Sequence, residues 1–129
     1  MPPSLTLLAL PGLYAVCRLP ADAPWPTWAK GDLVSISRTA DELSVVCAAD
    51  RLPAEVRREE GWRCLRVDGV FDFSVVGVLA SLIAPLAEAG VSVFAVSTFD
   101  TDYLLVKEVD FDRACSALRL HGHLLVLPQ

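Results

Sequence analysis

The residues best suited to chemistry fall in one short run, Ser97-Thr98-Phe99-Asp100-Thr101-Asp102, which carries three hydroxyls and two carboxylates. Hydroxyls donate or accept hydrogen bonds and carboxylates only accept, so the run can meet a cationic group or offer a base. Two carboxylates close together suit a cation in particular. The same residue types also build turns, where Asp bonds its own backbone, and both readings stand at Asp100 and Asp102. Other candidates are weaker. His121 and His123 flank Gly122 with no third ligand nearby, and read as surface or helix-end residues rather than metal ligands. Cys17, Cys47, Cys64 and Cys115 are far apart among apolar neighbours, with no C-x-x-C pair, and read as buried free thiols. There is no Gly-x-Ser-x-Gly, no phosphate-cradling glycine loop and no Cys beside a His. The expectation is a protein that is not an enzyme, with no catalytic residue, no metal and no cofactor.

Composition narrows the partners. A formal charge of −5 opposes a phosphate backbone, which selects clustered Lys and Arg, so no nucleic acid is expected. The longest apolar stretch, residues 75–87, is broken by Gly77, Ser81 and Pro85 and is shorter than the ~20 residues that span a membrane. The start, MPPSLTLLALPG, has no basic residues ahead of its apolar run and lacks the pattern of a secretory signal, so a cytoplasmic protein with no membrane partner is expected. With 129 residues the chain makes one body, or two small units sharing a core.

The elements that must position the run follow from periodicity. Residues 5–10, 13–19, 33–37 and 43–48 read as strands, the last two joined by a polar hairpin connection. Between the second and third strands, Thr27 suits a short helical turn ended by Gly31, with Trp25 and Trp28 available to cover a sheet face. The charged stretch 53–61 reads as a solvated helix or linker and as the boundary between residues 1–61 and 62–129. Beyond it, Trp62, Cys64, Leu65 and Val67 form a strand and residues 69–74 a loop. Val75, Leu79, Leu82, Ile83 and Leu86 then recur at helical spacing until Gly90, with Pro85 predicting a kink or a lost bond. Residues 91–96 and 102–106 pair across the Thr98–Thr101 turn. Asp110 caps a helix to Leu120, and residues 123–127 close the order as a strand. Strand, helix, strand, strand, helix, strand is the α+β, ferredoxin-like βαββαβ arrangement, with helices on one face of an antiparallel sheet.

That order carries no function alone, but the residues within it are more specific. From Val76-Gly77-Val78-Leu79 through Leu86-Ala87-Glu88-Ala89-Gly90-Val91-Ser92 to Ser97-Thr98-Phe99-Asp100-Thr101-Asp102-Tyr103, the chain resembles the ACT domain, in the branch found in aspartate kinases and cytosolic amino-acid sensors. The first half departs from that pattern: its helix is short and proline-rich, and no Gly-Val-Ser ending follows. The resemblance implies two tandem ACT-like units, a degenerate one at 1–61 and an ACT domain at 62–129.

The resemblance also implies a small-molecule-binding regulatory or sensor protein holding a free amino acid at an ACT–ACT interface. Val76, Gly77, Val78 and Leu79 match the family position whose backbone approaches the ligand, and Ser97, Thr98, Phe99, Asp100, Thr101 and Asp102 match the opposite wall. The chemistry agrees: a helix N-terminus offers N–H groups to a carboxylate, Gly77 keeps no side chain in the way, and the Asp residues can receive an ammonium. Close helix-to-sheet packing is the alternative reason for Gly77. Two further readings compete, an interaction module with a vestigial site and a small-molecule enzyme using Asp100 or Asp102 as base. Unpaired sheet edges favour a homodimer, and a sensor of this kind would act on a regulated enzyme or signalling protein.

Overall fold

The computed structural model describes residues 4–69 and 77–128. Its strands are β1 (Thr6–Ala9), β2 (Tyr14–Leu19), β3 (Ser35–Arg38), β4 (Leu43–Ala48), β5 (Arg57–Val67), β6 (Phe94–Ser97), β7 (Asp102–Lys107) and β8 (Leu124–Val126), and its helices α1 (Val78–Glu88) and α2 (Phe111–Leu120). They fall into two compact units, one of residues 12–62 and one joining the residues up to Pro11 with those from Arg63 onward. The first unit therefore begins at Gly12 rather than at residue 1, because β1 finds its partners in the second.

The N-terminal unit is an antiparallel sheet in the order β3-β4-β2-β5. β2 pairs with β4 along its whole length, β4 with β3, and the first half of β5 lies along β2 with Arg18 opposite Arg57. Inward residues at alternate positions, Ala15, Cys17, Leu43, Val45 and Cys47, form a buried core as period-two patterning requires. Of the charged stretch 53–61, expected to be a helix or linker, residues 53–56 are a connection and residues 57–61 are the start of β5. Its alternation of exposed Arg57 with half-buried Arg58 suits an edge facing water, and β2 supplies the ladder that local sequence cannot announce. The helical turn expected at Thr27 is a single reverse turn closed by Ala29 N–H on the Pro26 carbonyl, and no α-helix occurs among the unit's described residues. Prolines at 20, 24 and 26 remove the amide donors a helix there would need.

The C-terminal unit has the ferredoxin-like layout with one strand added. The β6–β7 hairpin pairs through β7 with β5, and β1 lies between β5, antiparallel to it, and β8, parallel to it. Leu7, Leu65, Val67, Leu104 and Val106 turn one sheet face toward Leu82 and Leu86 of α1 and Ala114 and Leu118 of α2, so both helices share one core. Helix α1 ends as expected at Gly90: Gly90 N–H bonds the Ala87 carbonyl and Val91 N–H the Leu86 carbonyl, a Schellman closure that needs the positive φ of 74° at Gly90. Val91 is buried beside this closure, and the strand expected from residue 91 starts only at Phe94. At the head of α2, Asp110 occupies the cap position but its carboxylate goes to Arg113 at 2.7 Å rather than to the helix backbone.

Pro85 lies buried inside α1 without ending it. A proline there leaves the carbonyl four residues earlier without its N–H partner, which is Ser81. The His123 Nε2 stands 3.3 Å from that carbonyl, while Leu5 N–H donates to Nδ1 at 3.1 Å. Because Nδ1 accepts, the proton sits on Nε2 and is donated to Ser81. His123, expected at the surface, is thus 3 % exposed and repairs the gap that Pro85 makes. His121 does lie exposed at the end of α2.

Candidate functional site

The hairpin connection is held by its own side chains. Thr98 N–H bonds the Thr101 carbonyl at 2.8 Å, and the Thr98 hydroxyl donates to that carbonyl while receiving Thr101 N–H. Thr101 is 7 % exposed and its hydroxyl donates to the Val67 carbonyl at 2.8 Å, which fastens the turn to the end of β5. Ser97 and Asp102 face one another in the ladder, with the Ser97 hydroxyl 2.5 Å from the Asp102 carboxylate. Phe99, 79 % exposed, and Asp100 point outward at the tip. The six residues therefore divide into a structural pair, Thr98 and Thr101, a mutually bonded pair, Ser97 and Asp102, and two outward residues.

Helix α1 starts at the same end of the unit. Its eleven residues rise about 16 Å, and after the Gly90 closure the chain runs through β6 to the hairpin. Gly77 is the N-cap, with φ of 87° and no side-chain cap bond. A Cβ built on Gly77 meets nothing within 4 Å among the described residues, which sets aside close helix packing as the reason for glycine: the left-handed backbone requires it. Val78 is buried and Leu79 half-buried against the core, so what these two can offer outward is backbone. Val76 lies outside the described residues. The Ser81 hydroxyl bonds the Val78 carbonyl at 2.7 Å, inside the helix.

Other candidates resolve differently. All four cysteines are buried and unbridged, as the sequence implies. A hydrogen bond with Cys47 and burial push the Cys17 thiol far above its usual range, and burial raises Cys115. No group of three or more potential metal ligands occurs among the described residues, and no described helix is long and apolar enough to cross a membrane. Trp25 does not cover a sheet face as expected. It is 67 % exposed, and with half-buried Trp28 it lines a cavity of about 580 Å³ in the N-terminal unit that also includes Arg18 and Arg57. Trp28 does pack against the unit's core, as expected of the pair; the signal in the sequence for the cavity is two tryptophans among prolines, with arginines at the neighbouring strand ends.

Comparison with known proteins agrees with this architecture. An ACT domain model matches residues 57–119, and a model described as an N-terminal domain matches residues 12–55. A search of curated proteins finds no match. Among solved structures, protein Atu0741 from Agobacterium tumefaciens is 43 % identical, with 99 % of this chain and 96 % of that one covered and a TM-score of 0.93. The fold is shared by an aspartate kinase from Clostridium acetobutylicum, at 10 % identity and TM-score 0.68 over 92 % of this chain and 35 % of that one. It is shared too by the regulatory subunit of aspartate kinase from Thermus thermophilus, at 11 % identity and TM-score 0.62 over 87 % and 93 %. With its motif residues on the hairpin and at the head of α1, and its βαββαβ order, the part of the chain spanning residues 57–119 belongs to the ACT domain family.

Proposed function

We propose that this protein is a non-catalytic regulatory protein that binds a free amino acid where the head of α1 and the Ser97–Asp102 hairpin meet a second ACT unit. The observation that carries the reading is Gly77, which caps the helix with open space around it and no side-chain cap bond among the described residues. Such a terminus suits a carboxylate, and Asp100 or Asp102 at the same end suits the ammonium of the same molecule. β8 ends the sheet order with Leu124 and Val126 exposed, which favours a homodimer that completes the site. Four unbridged cysteines suit a reducing, cytoplasmic compartment.

A pure interaction module remains the second reading, favoured by one observation: Ser97 and Asp102 already satisfy each other, and Thr98 and Thr101 satisfy the turn. A thermal-shift screen against the twenty amino acids separates the two. A ligand at 100 times its dissociation constant adds about 2.7 kcal/mol to stability. The sensor reading expects a selective rise in Tm that Asp100→Ala or Asp102→Ala abolishes; a flat response to all twenty leaves the interaction module.

A further inference from the structure

The cavity of the N-terminal unit is walled by the end of β2, the proline-rich connection after it and the connection leading into β5. Its volume of about 580 Å³ is that of a small-molecule site. Both walls are pinned from behind. The Arg38 guanidinium donates to the Ala21 carbonyl and, at 2.8 Å, to that of Ala23, which holds the proline-rich connection. The Arg58 guanidinium donates to the Pro53 carbonyl and, at 2.9 Å, to that of Val56, which holds the other. Prolines in both connections further restrict the backbone, so the cavity is formed before anything enters it.

Its charge pattern is unusual for a surface pairing. Arg18 and Arg57 stand directly opposite each other in the antiparallel ladder of β2 and β5, and both line the cavity. Like charges at opposed positions destabilise a sheet, and the Arg18 bond to the Asp41 carbonyl, at 3.1 Å, takes only one of five guanidinium donors. Glu55 also lines the cavity and offsets one of the two charges, leaving a lining with one net positive charge. Across it, Trp25 and Trp28 present aromatic surface, Trp25 at a 67 % exposure that has no role in the unit's own core.

We propose that this cavity binds a small monoanionic aromatic carboxylate, its carboxylate received by Arg18 and Arg57 and its ring laid against Trp25 and Trp28. Paired guanidiniums match the two carboxylate oxygens, and one negative charge matches the net charge of the lining. The site is separate from the hairpin and head of α1, in a unit to which the ligand reading above assigns nothing.

The test is titration of the intact protein with phenylacetate, followed by tryptophan fluorescence and by isothermal calorimetry, with benzylamine and acetate as controls. Arg18→Gln, Arg57→Gln and Trp25→Ala alter exposed side chains, and unchanged circular dichroism verifies that each still folds. The expected result is saturable binding of phenylacetate, weakened at least tenfold in each variant, little binding of benzylamine or acetate, and no change in Asp102→Ala. Absence of saturable binding, binding undiminished in both arginine variants, or equal binding of benzylamine would each overturn the proposal.

Discussion

A single imidazole decides whether a proline can sit inside α1. Pro85 strips the Ser81 carbonyl of its helical donor, and His123 replaces it while taking the Leu5 N–H on its other nitrogen. Replacing His123 with Leu buries both backbone groups unpaired, at about 1–3 kcal/mol each, so a loss of about 2–6 kcal/mol is expected from chemical denaturation. His123→Gln, which can still donate and accept, is expected to recover part of that loss; a Leu variant as stable as the parent would show that water serves these groups equally well. Cys115 gives a second residue-scale prediction. Burial raises its thiol in the folded state, so as pH climbs above the unfolded thiol's range the unfolded chain releases a proton that the folded chain keeps. Fewer protons on the unfolded chain mean that stability falls with rising pH. The denaturation midpoint is therefore expected to drop between pH 7.5 and 9.5, and to drop less in Cys115→Ala; an equal drop in both would remove Cys115 as a cause.

Elements with strong local patterning were legible, and those defined by a distant partner were not. Helix α2 shows the first case: Phe111, Ala114, Cys115 and Leu118, three and four apart, are its buried residues. That phase predicts opposite outcomes two residues apart. Leu118→Ala, at a fully buried position, is expected to cost about 2–5 kcal/mol, and Leu120→Ala, at 84 % exposure, less than about 0.5 kcal/mol, both read from urea midpoints. The hairpin was legible too, since Ser97 to Asp102 combines turn chemistry with flanking apolar strands. The start of β5 was not, because Arg57, Arg58, Glu59 and Glu60 look solvated until β2 is known to lie beside them. The burial of His123 was hidden for the same reason: its partners, Leu5 and Ser81, lie 118 and 42 residues away in sequence. The site shows the same division. Its residue types could be read, but that Thr101 is spent on Val67, and Ser97 on Asp102, follows only from the folded register.

At the scale of the whole chain, the consequential feature is the order in which the units are made. The chain contributes β1 to the C-terminal unit, builds the N-terminal unit from residues 12–62, and returns through β5 to finish the first. β1 is an inner strand there, with Leu7 at 0 % exposure and ladders to Val67 on one side and to Leu125 on the other. β8 has no other partner in the described sheet order, so removing β1 takes away its ladder as well as part of the core. The sequence shows an apolar run at residues 5–10 but not which strands it pairs with, and a cut at residue 62 would look like a clean separation of units. The fragment 63–129 is therefore expected to lack a cooperative melt and dispersed amide resonances. A synthetic peptide of residues 1–11, added in excess, is expected to restore both in proportion to its concentration, since a strand that binds only the folded form shifts folding by mass action. A fragment that melts cooperatively alone would make β1 an ornament on a self-sufficient ferredoxin-like unit. Rescue by the peptide would make the first eleven residues part of the structure that presents the hairpin and the head of α1.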